Sequence, residues 1–373
     1  MKKLILLLTL TSFLLVGAYA SFGKIIAKQG AGYLENVDGT LVCHLNGDPY
    51  QLGYQHGKLL ADHVKKMVEI YVHGEGQDKE SKEIQWVLQN RENTYKRLEP
   101  FIPKRFKTEM QGLADGAGLS FDEIKYMIIF SEFFHCSGFA LMGHATKDGT
   151  LYHGRILDYI TDRELQDHAV VFMVNPKDGN AFLNVGFAGQ IGSVTGMNQQ
   201  HIAIGEMGGD GQGNWDGMPM TLLIRDALER ANTLDEAKKI FKETKRTCEY
   251  YYVISDSKIP DAVGVGATPE NIFFVKPGES NPRLPSPVKD CVLMSAGDRY
   301  KKLVERVKAN YGKFEVESAI RLMDRPVAMK SALHTVLFKP ATLETWVAVA
   351  GSDGSPAPTQ KYHHYQLNLR RPK

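Results

Sequence analysis

A chain of 373 residues with 43% apolar and 24% charged side chains can bury a large core as one big domain or two smaller ones, which excludes disorder as the default. Its formal charge of +2 supplies no dense basic stripe for phosphates, so nucleic acid is not an expected partner. Four widely spaced cysteines, Cys43, Cys136, Cys248 and Cys291, give neither a disulfide framework nor metal-ligand spacing, and no cofactor or metal is expected.

In chain order, Met1, Lys2 and Lys3 make a positive start, Leu4 to Val16 an apolar stretch, and Ala18-Tyr19-Ala20 a small-residue site before Ser21. This is the pattern of a signal peptide over residues 1–20. The apolar stretch falls short of the roughly 20 residues that cross a bilayer. The chain is therefore expected to be secreted or periplasmic, with no stable membrane insertion. A strand-like opening, Gly32 to Leu45, precedes helical patterning from Pro49, where Leu60, Val64, Met67, Val68 and Tyr71 recur on one face. Ile84 to Leu98, Phe106 to Ala114 and Phe121 to Phe134 continue that texture up to His135-Cys136.

After Cys136 the texture changes. Phe139 to Met142, Leu151 to Tyr159, Ala169 to Val174, Ala181 to Phe187, Ile191 to Met197 and Ile202 to Glu206 read as short strands between turns, an antiparallel meander. A helix on Met220 to Ala231 follows, then a second opened by the capping box Thr233-Leu234-Asp235-Glu236. Strands return at Tyr250 to Ser255, Ala262 to Ala267 and Ile272 to Val275, then a loop at Pro277 to Pro287, a helix at Tyr300 to Ala309 and a strand at Thr345 to Ala350. Runs of strands and runs of helices make this an α+β chain.

Cys136 sits where a helix gives way to a strand, so its side chain can be both fixed and accessible. Arg155 and Asp158 lie three residues apart, and strand alternation puts them on opposite faces unless the chain bends near Gly154. On these residues alone, a small buried cysteine beside a surface ion pair fits better than an active site.

The order of several segments changes that balance. Gly47-Asp48-Pro49-Tyr50-Gln51-Leu52-Gly53-Tyr54-Gln55-His56-Gly57-Lys58-Leu59-Leu60 is similar to the opening G-x-P-x-x-x-G-x-x-H-G-x-L-L of the isopenicillin-N acyltransferase family. The segment around Cys136, then Gly154 to Tyr159, Gly192 to Asn198, Gly217-Met218-Pro219 and Leu234 to Ala237 continue the resemblance in order. It extends more distantly to penicillin V acylase and choloylglycine hydrolase, all N-terminal-nucleophile hydrolases. The resemblance implies a four-layer αββα sandwich of antiparallel sheets. It divides the chain into a mainly helical pro-segment, 21–135, and a catalytic chain, 136–373, which stay associated after self-cleavage between His135 and Cys136.

By the same resemblance, the freed α-amine of Cys136 serves as base for its own thiol, which attacks a small N-acyl substrate and forms a thioester. Asp158 accepts hydrogen bonds from the Cys136 amine or thiol, and Arg155 lowers the thiol pKa. Ser295 stands near the position of an asparagine that relatives use at the oxyanion. The second oxyanion position falls at Glu206 to Gly208, with backbone N–H groups such as that of Gly208. If Cys136 is the free nucleophile, Cys43, Cys248 and Cys291 allow at most one bridge.

Other readings stay open. A lipase or phospholipase-like enzyme could use the same scaffold, and an exported binding protein would keep Cys136 structural and uncut. A papain-type protease lacks a recognisable second motif. His56 and His63 lie seven apart on one helix face and His63 and His73 ten, neither matching a helical zinc site. Asn198 reads as a turn residue, His363-His364 as solvated, and Tyr250-Tyr251-Tyr252 as a strand with one ring in the core.

Overall fold

The computed structural model describes residues 23–74, 82–130, 135–161, 163–209 and 213–367. The signal peptide expected at 1–20 and the basic tail from Leu369 lie outside them, as do the last four residues of the helix expected over 121–134.

Three strands open the described chain, β1 (Lys24–Gln29), β2 (Gly32–Val37) and β3 (Thr40–Gly47). Five helices follow: α1 (Pro49–Leu59), α2 (Ala61–Tyr71), α3 (Lys82–Leu98), α4 (Lys104–Ala117) and α5 (Phe121–Phe130). Then come β4 (His135–Gly143), β5 (Gly149–Asp158), β6 (Ala169–Pro176), β7 (Phe182–Phe187), β8 (Thr195–Asn198) and β9 (Ile202–Gly208). Helices α6 (Met220–Arg230) and α7 (Leu234–Glu243) precede β10 (Tyr250–Asp256), β11 (Asp261–Ala267), β12 (Ile272–Val275) and β13 (Cys291–Met294). The chain finishes with α8 (Gly297–Ala309), α9 (Val316–Ile320), β14 (Ala332–Lys339), β15 (Glu344–Val349) and β16 (His363–Gln366).

These strands make two sheets. A ten-stranded sheet runs β1-β2-β3-β6-β7-β8-β9-β10-β11-β12, and a six-stranded sheet runs β13-β4-β5-β14-β15-β16. All their ladders are antiparallel except β3 with β6, which is parallel. Strands β4 and β5 pack face to face on β9, helices α1, α6 and α7 cover the larger sheet, and α8 and α9 cover the smaller one. The four-layer α+β sandwich expected from the resemblance is therefore present. The segment before Cys136 is less purely helical than expected: it supplies three strands of the larger sheet, joined to the rest through the β3–β6 ladder.

Local chemistry explains the helical entry. Asp48 accepts from the Gln51 N–H, the Gln51 side chain returns to the Asp48 N–H, and Pro49 occupies the first turn. Helix α1 then lies almost in backbone contact with α4. A Cβ on Gly53 would stand 1.9 Å from the Glu109 carbonyl, and one on Gly112 2.2 Å from that of Tyr50. The glycines of the opening motif are thus a helix-crossing device.

Several local expectations need correction. His56 and His63 sit on separate helices, because the chain breaks at Leu60; His56 accepts from the Gly189 N–H at 2.9 Å. Tyr250 and Tyr252 both point into the core and only Tyr251 stands partly out, since alternation on a strand covered on both faces buries two of three. His363 and His364 lie in β16, half-buried, with His364 Nε2 3.0 Å from Glu344. Thr233 does cap α7, but the Glu236 carboxylate takes the Asn232 N–H instead of completing the box.

Candidate active site

Antiparallel register decides which side chains share a face. In the β4–β5 ladder Cys136 pairs with Leu157 and Gly138 with Arg155, so Cys136 and Arg155 both face the larger sheet. The same pairing sets His135 opposite Asp158 and Ser137 opposite Ile156 on the other face. The ladder keeps its register past Gly154, so the bend that would have joined Arg155 and Asp158 on one face is not there.

Between the sheets lies a closed polar cluster. Arg155 and Glu206 are fully buried, and Cys136 is 8% exposed. Arg155 Nη2 donates to Cys136 Sγ at 2.9 Å and to Glu206 Oε2 at 3.2 Å, while its Nε donates to the Glu206 carbonyl at 3.3 Å. The thiol lies 3.7 Å from the same Glu206 oxygen. Arg155 Nη1 meets His334 Nε2 on β14 at 3.1 Å, and that nitrogen also meets the Thr195 hydroxyl on β8 at 3.0 Å. Gly205 makes room for this: a Cβ there would stand 2.7 Å from Arg155 Cγ.

Burial dominates the electrostatics. The Cys136 thiol is pushed well above its ordinary pKa by desolvation; Arg155 pulls it down, and the negative charges of Glu206 and Asp158 push it further up. Arg155 thus acts in the expected direction, but it does not prevail, and the thiol is protonated. Burial, then the Arg155 charge, holds His334 well below the ordinary histidine value, so its ring is neutral.

Asp158 belongs to a second cluster on the other face. Its carboxylate accepts from Arg299 on α8 and from the Met329 N–H at 2.9 Å. Arg299 also donates to the Ser137 hydroxyl, which lies 2.7 Å from the Ser295 hydroxyl. Ser295 is therefore beside the neighbour of Cys136. Gly208 ends β9 two residues beyond Glu206. The His135–Cys136 peptide lies within β4, with Asp158 the cross-strand neighbour of His135; the His135 side chain lies outside the described residues. All four cysteines are free and buried, so Cys43, Cys248 and Cys291 form no bridge. Asn198 is structural: its amide donates to the Leu228 and Ala231 carbonyls while its oxygen accepts from Gln200 and Ile202.

Residues 145–274, from just before β5 into β12, match the family model described as acyl-coenzyme A:6-aminopenicillanic acid acyl-transferase. That segment, about a third of the chain, is what the family model resembles. The matched segment includes Arg155, Asp158 and Glu206, and Cys136 lies just upstream of it. Among curated relatives, an uncharacterized protein of Archaeoglobus fulgidus is 29% identical over 68% of this chain and 48% of its own. The N-acylethanolamine-hydrolyzing acid amidase of Mus musculus is 24% identical over 48% of this chain and 51% of its own. The acid ceramidase of Rattus norvegicus is 28% identical over 42% of this chain and 46% of its own. The chain thus spans about half the length of the curated relatives it matches.

Sequence reasoning found Cys136, Arg155 and Asp158 and passed over the side chains of Glu206, His334, Thr195 and Arg299. A signal existed for two of them. Glu206 and His334 are ionisable residues inside otherwise apolar strand runs, and a buried arginine requires an anionic partner nearby.

Proposed function

We propose that this chain is an exported cysteine amidohydrolase or acyltransferase that cuts itself before Cys136 and then acts on a small N-acyl substrate. One observation carries the reading: the Cys136 sulfur is buried between the sheets, 2.9 Å from Arg155 Nη2 and 3.7 Å from Glu206 Oε2, in a strand that also holds the His135–Cys136 peptide. The name of the mouse relative, an amidase of N-acylethanolamines, supports an acyl amide as the substrate class.

In the first step the Cys136 sulfur attacks the His135 carbonyl carbon, the peptide C–N bond breaks, and the acyl group moves to sulfur. Water then hydrolyses that thioester, leaving a carboxylate on His135 and a free amine on Cys136. An α-amine has an ordinary pKa of about 7.7–8.0, suited to taking the adjacent thiol proton near neutrality. In turnover the sulfur attacks the substrate carbonyl, the amine leaves with the proton, and water or a second amine resolves the new thioester. Arg155 supplies positive charge beside the sulfur, and Asp158, opposite His135, stands next to the place where the new amine forms.

Two features support association of the cut segments: the β3–β6 ladder and the buried contact of Glu109 on α4 with Arg225 on α6 at 3.1 Å. No metal or cofactor enters the scheme. The exported reading rests on residues 1–20 alone.

Gel analysis of wild type against Cys136→Ala tests the proposal. Wild type should give two fragments in a roughly one-to-two mass ratio after removal of residues 1–20. Cys136→Ala should remain one inactive chain and Cys136→Ser should cut slowly. Cutting of Cys136→Ala at the same place would assign the cut to another protease, and N-acyl amides left untouched while phospholipids are hydrolysed would favour the lipase-like reading.

A further inference from the structure

Arg155 has three nitrogens, and one is committed to a side chain that the scheme above never uses. Nε and Nη2 serve Glu206 and the Cys136 sulfur; Nη1 lies 3.1 Å from His334 Nε2. A guanidinium nitrogen can only donate, so His334 Nε2 is the acceptor and the ring proton sits on Nδ1. The Thr195 hydroxyl, 3.0 Å from the same Nε2, holds the ring from the opposite sheet. Phe187 stacks near the ring, with centroids 6.1 Å apart and planes 25° apart. His334 and Thr195 are both fully buried.

We propose that His334, braced by Thr195, is a positioning residue that fixes the rotation of the Arg155 guanidinium so that Nη2 points at the Cys136 sulfur. The inference rests on the reading of Cys136 as nucleophile and Arg155 as its positive neighbour. Glu206 engages one edge of the guanidinium through Nε and Nη2, and contacts on one edge leave the plane free to pivot. The Nη1 contact engages the remaining nitrogen. Packing alone does not account for an imidazole here: its buried Nδ1 finds no hydrogen-bond partner among the described residues, a penalty that phenylalanine would not carry. Burial and the Arg155 charge keep the ring neutral, so it stays an acceptor across working pH.

The test compares His334→Phe, which keeps the ring and removes the acceptor, with His334→Gln, which restores an acceptor, and with Arg155→Lys. The readouts are the rate of Cys136 alkylation by iodoacetamide against pH, the rate of self-cutting, and the melting temperature. His334→Phe should alkylate with its midpoint shifted to higher pH and cut at least tenfold more slowly at a near-native melting temperature; His334→Gln should recover most of both. Wild-type behaviour of His334→Phe beside an impaired Arg155→Lys would overturn the positioning inference alone. Wild-type behaviour of both would take the Arg155 reading with it. Equal impairment of His334→Phe and His334→Gln, with matching losses of melting temperature, would reduce His334 to packing. If His334→Phe does not fold, nitrogen NMR of the wild-type ring decides: a proton on Nδ1 supports the inference, and a proton on Nε2 overturns it.

Discussion

Arg155 reaches the Cys136 sulfur at 2.9 Å, and still the thiol is protonated, because burial outweighs the guanidinium and the Glu206 charge adds to burial. The Glu206 carboxylate oxygen, 3.7 Å from the sulfur, offsets part of the Arg155 charge, and burial favours the neutral form. In the uncut chain the proposed nucleophile is held in reserve.

Glu206→Gln separates these influences. The Glu206 charge disfavours the thiolate, so its removal should make Cys136 more acidic. Alkylation by iodoacetamide at a fixed pH should become about tenfold faster, the equivalent of about one pKa unit. The fold should lose about 3 kcal/mol in chemical denaturation, because Arg155 is left buried with a weaker partner. Unchanged alkylation would mean that Glu206 does not govern the thiol.

Gly205→Ala tests the space that Arg155 occupies. The added methyl would stand 2.7 Å from Arg155 Cγ and 3.2 Å from His153 Nε2. A stability loss of about 1–3 kcal/mol is expected from overpacking, together with slower cutting as the guanidinium shifts from the sulfur. Cutting at the wild-type rate despite a lowered melting temperature would show that the site tolerates the displacement.

Asp158→Asn keeps an acceptor for the Met329 N–H but removes the charge that faces Arg299. A loss of about 1–3 kcal/mol is expected, since the carboxylate is fully buried. Turnover should fall further than that loss accounts for, because Asp158 is the cross-strand neighbour of His135, next to the peptide that the proposed cut opens. Parallel losses in melting temperature and turnover would mark Asp158 as structural.

Glu109 gives a pH prediction away from the site. Burial pushes its carboxyl up to about 7 from an ordinary 4.5, with Arg225 opposing. Between those values the folded chain binds the extra proton, so this group's contribution to stability is fully present below about 4.5 and is lost as pH rises to about 7. The full swing is about 3 kcal/mol at most. Melting curves of wild type and Glu109→Gln across pH 4–8 should differ by this slope; parallel curves would contradict it.

Much of this molecule was legible in its sequence. The short runs of β5, β6, β7, β10 and β11 between turn residues, the helical start at Pro49, and the helix-to-strand change at Cys136 all follow from local patterns. Local patterns do not encode register, so they could not show that Arg155 faces β9 while Asp158 faces α8. The same limit hid the parallel β3–β6 ladder, whose partners are more than a hundred residues apart. Strand β14, which carries His334, went unread as well.

The most direct measurement is the amino-terminal sequence of purified, catalytically active protein. A mature end beginning at Cys136, alongside the end of the upstream segment, is the predicted result. Full activity in material whose His135–Cys136 peptide is intact would contradict the account.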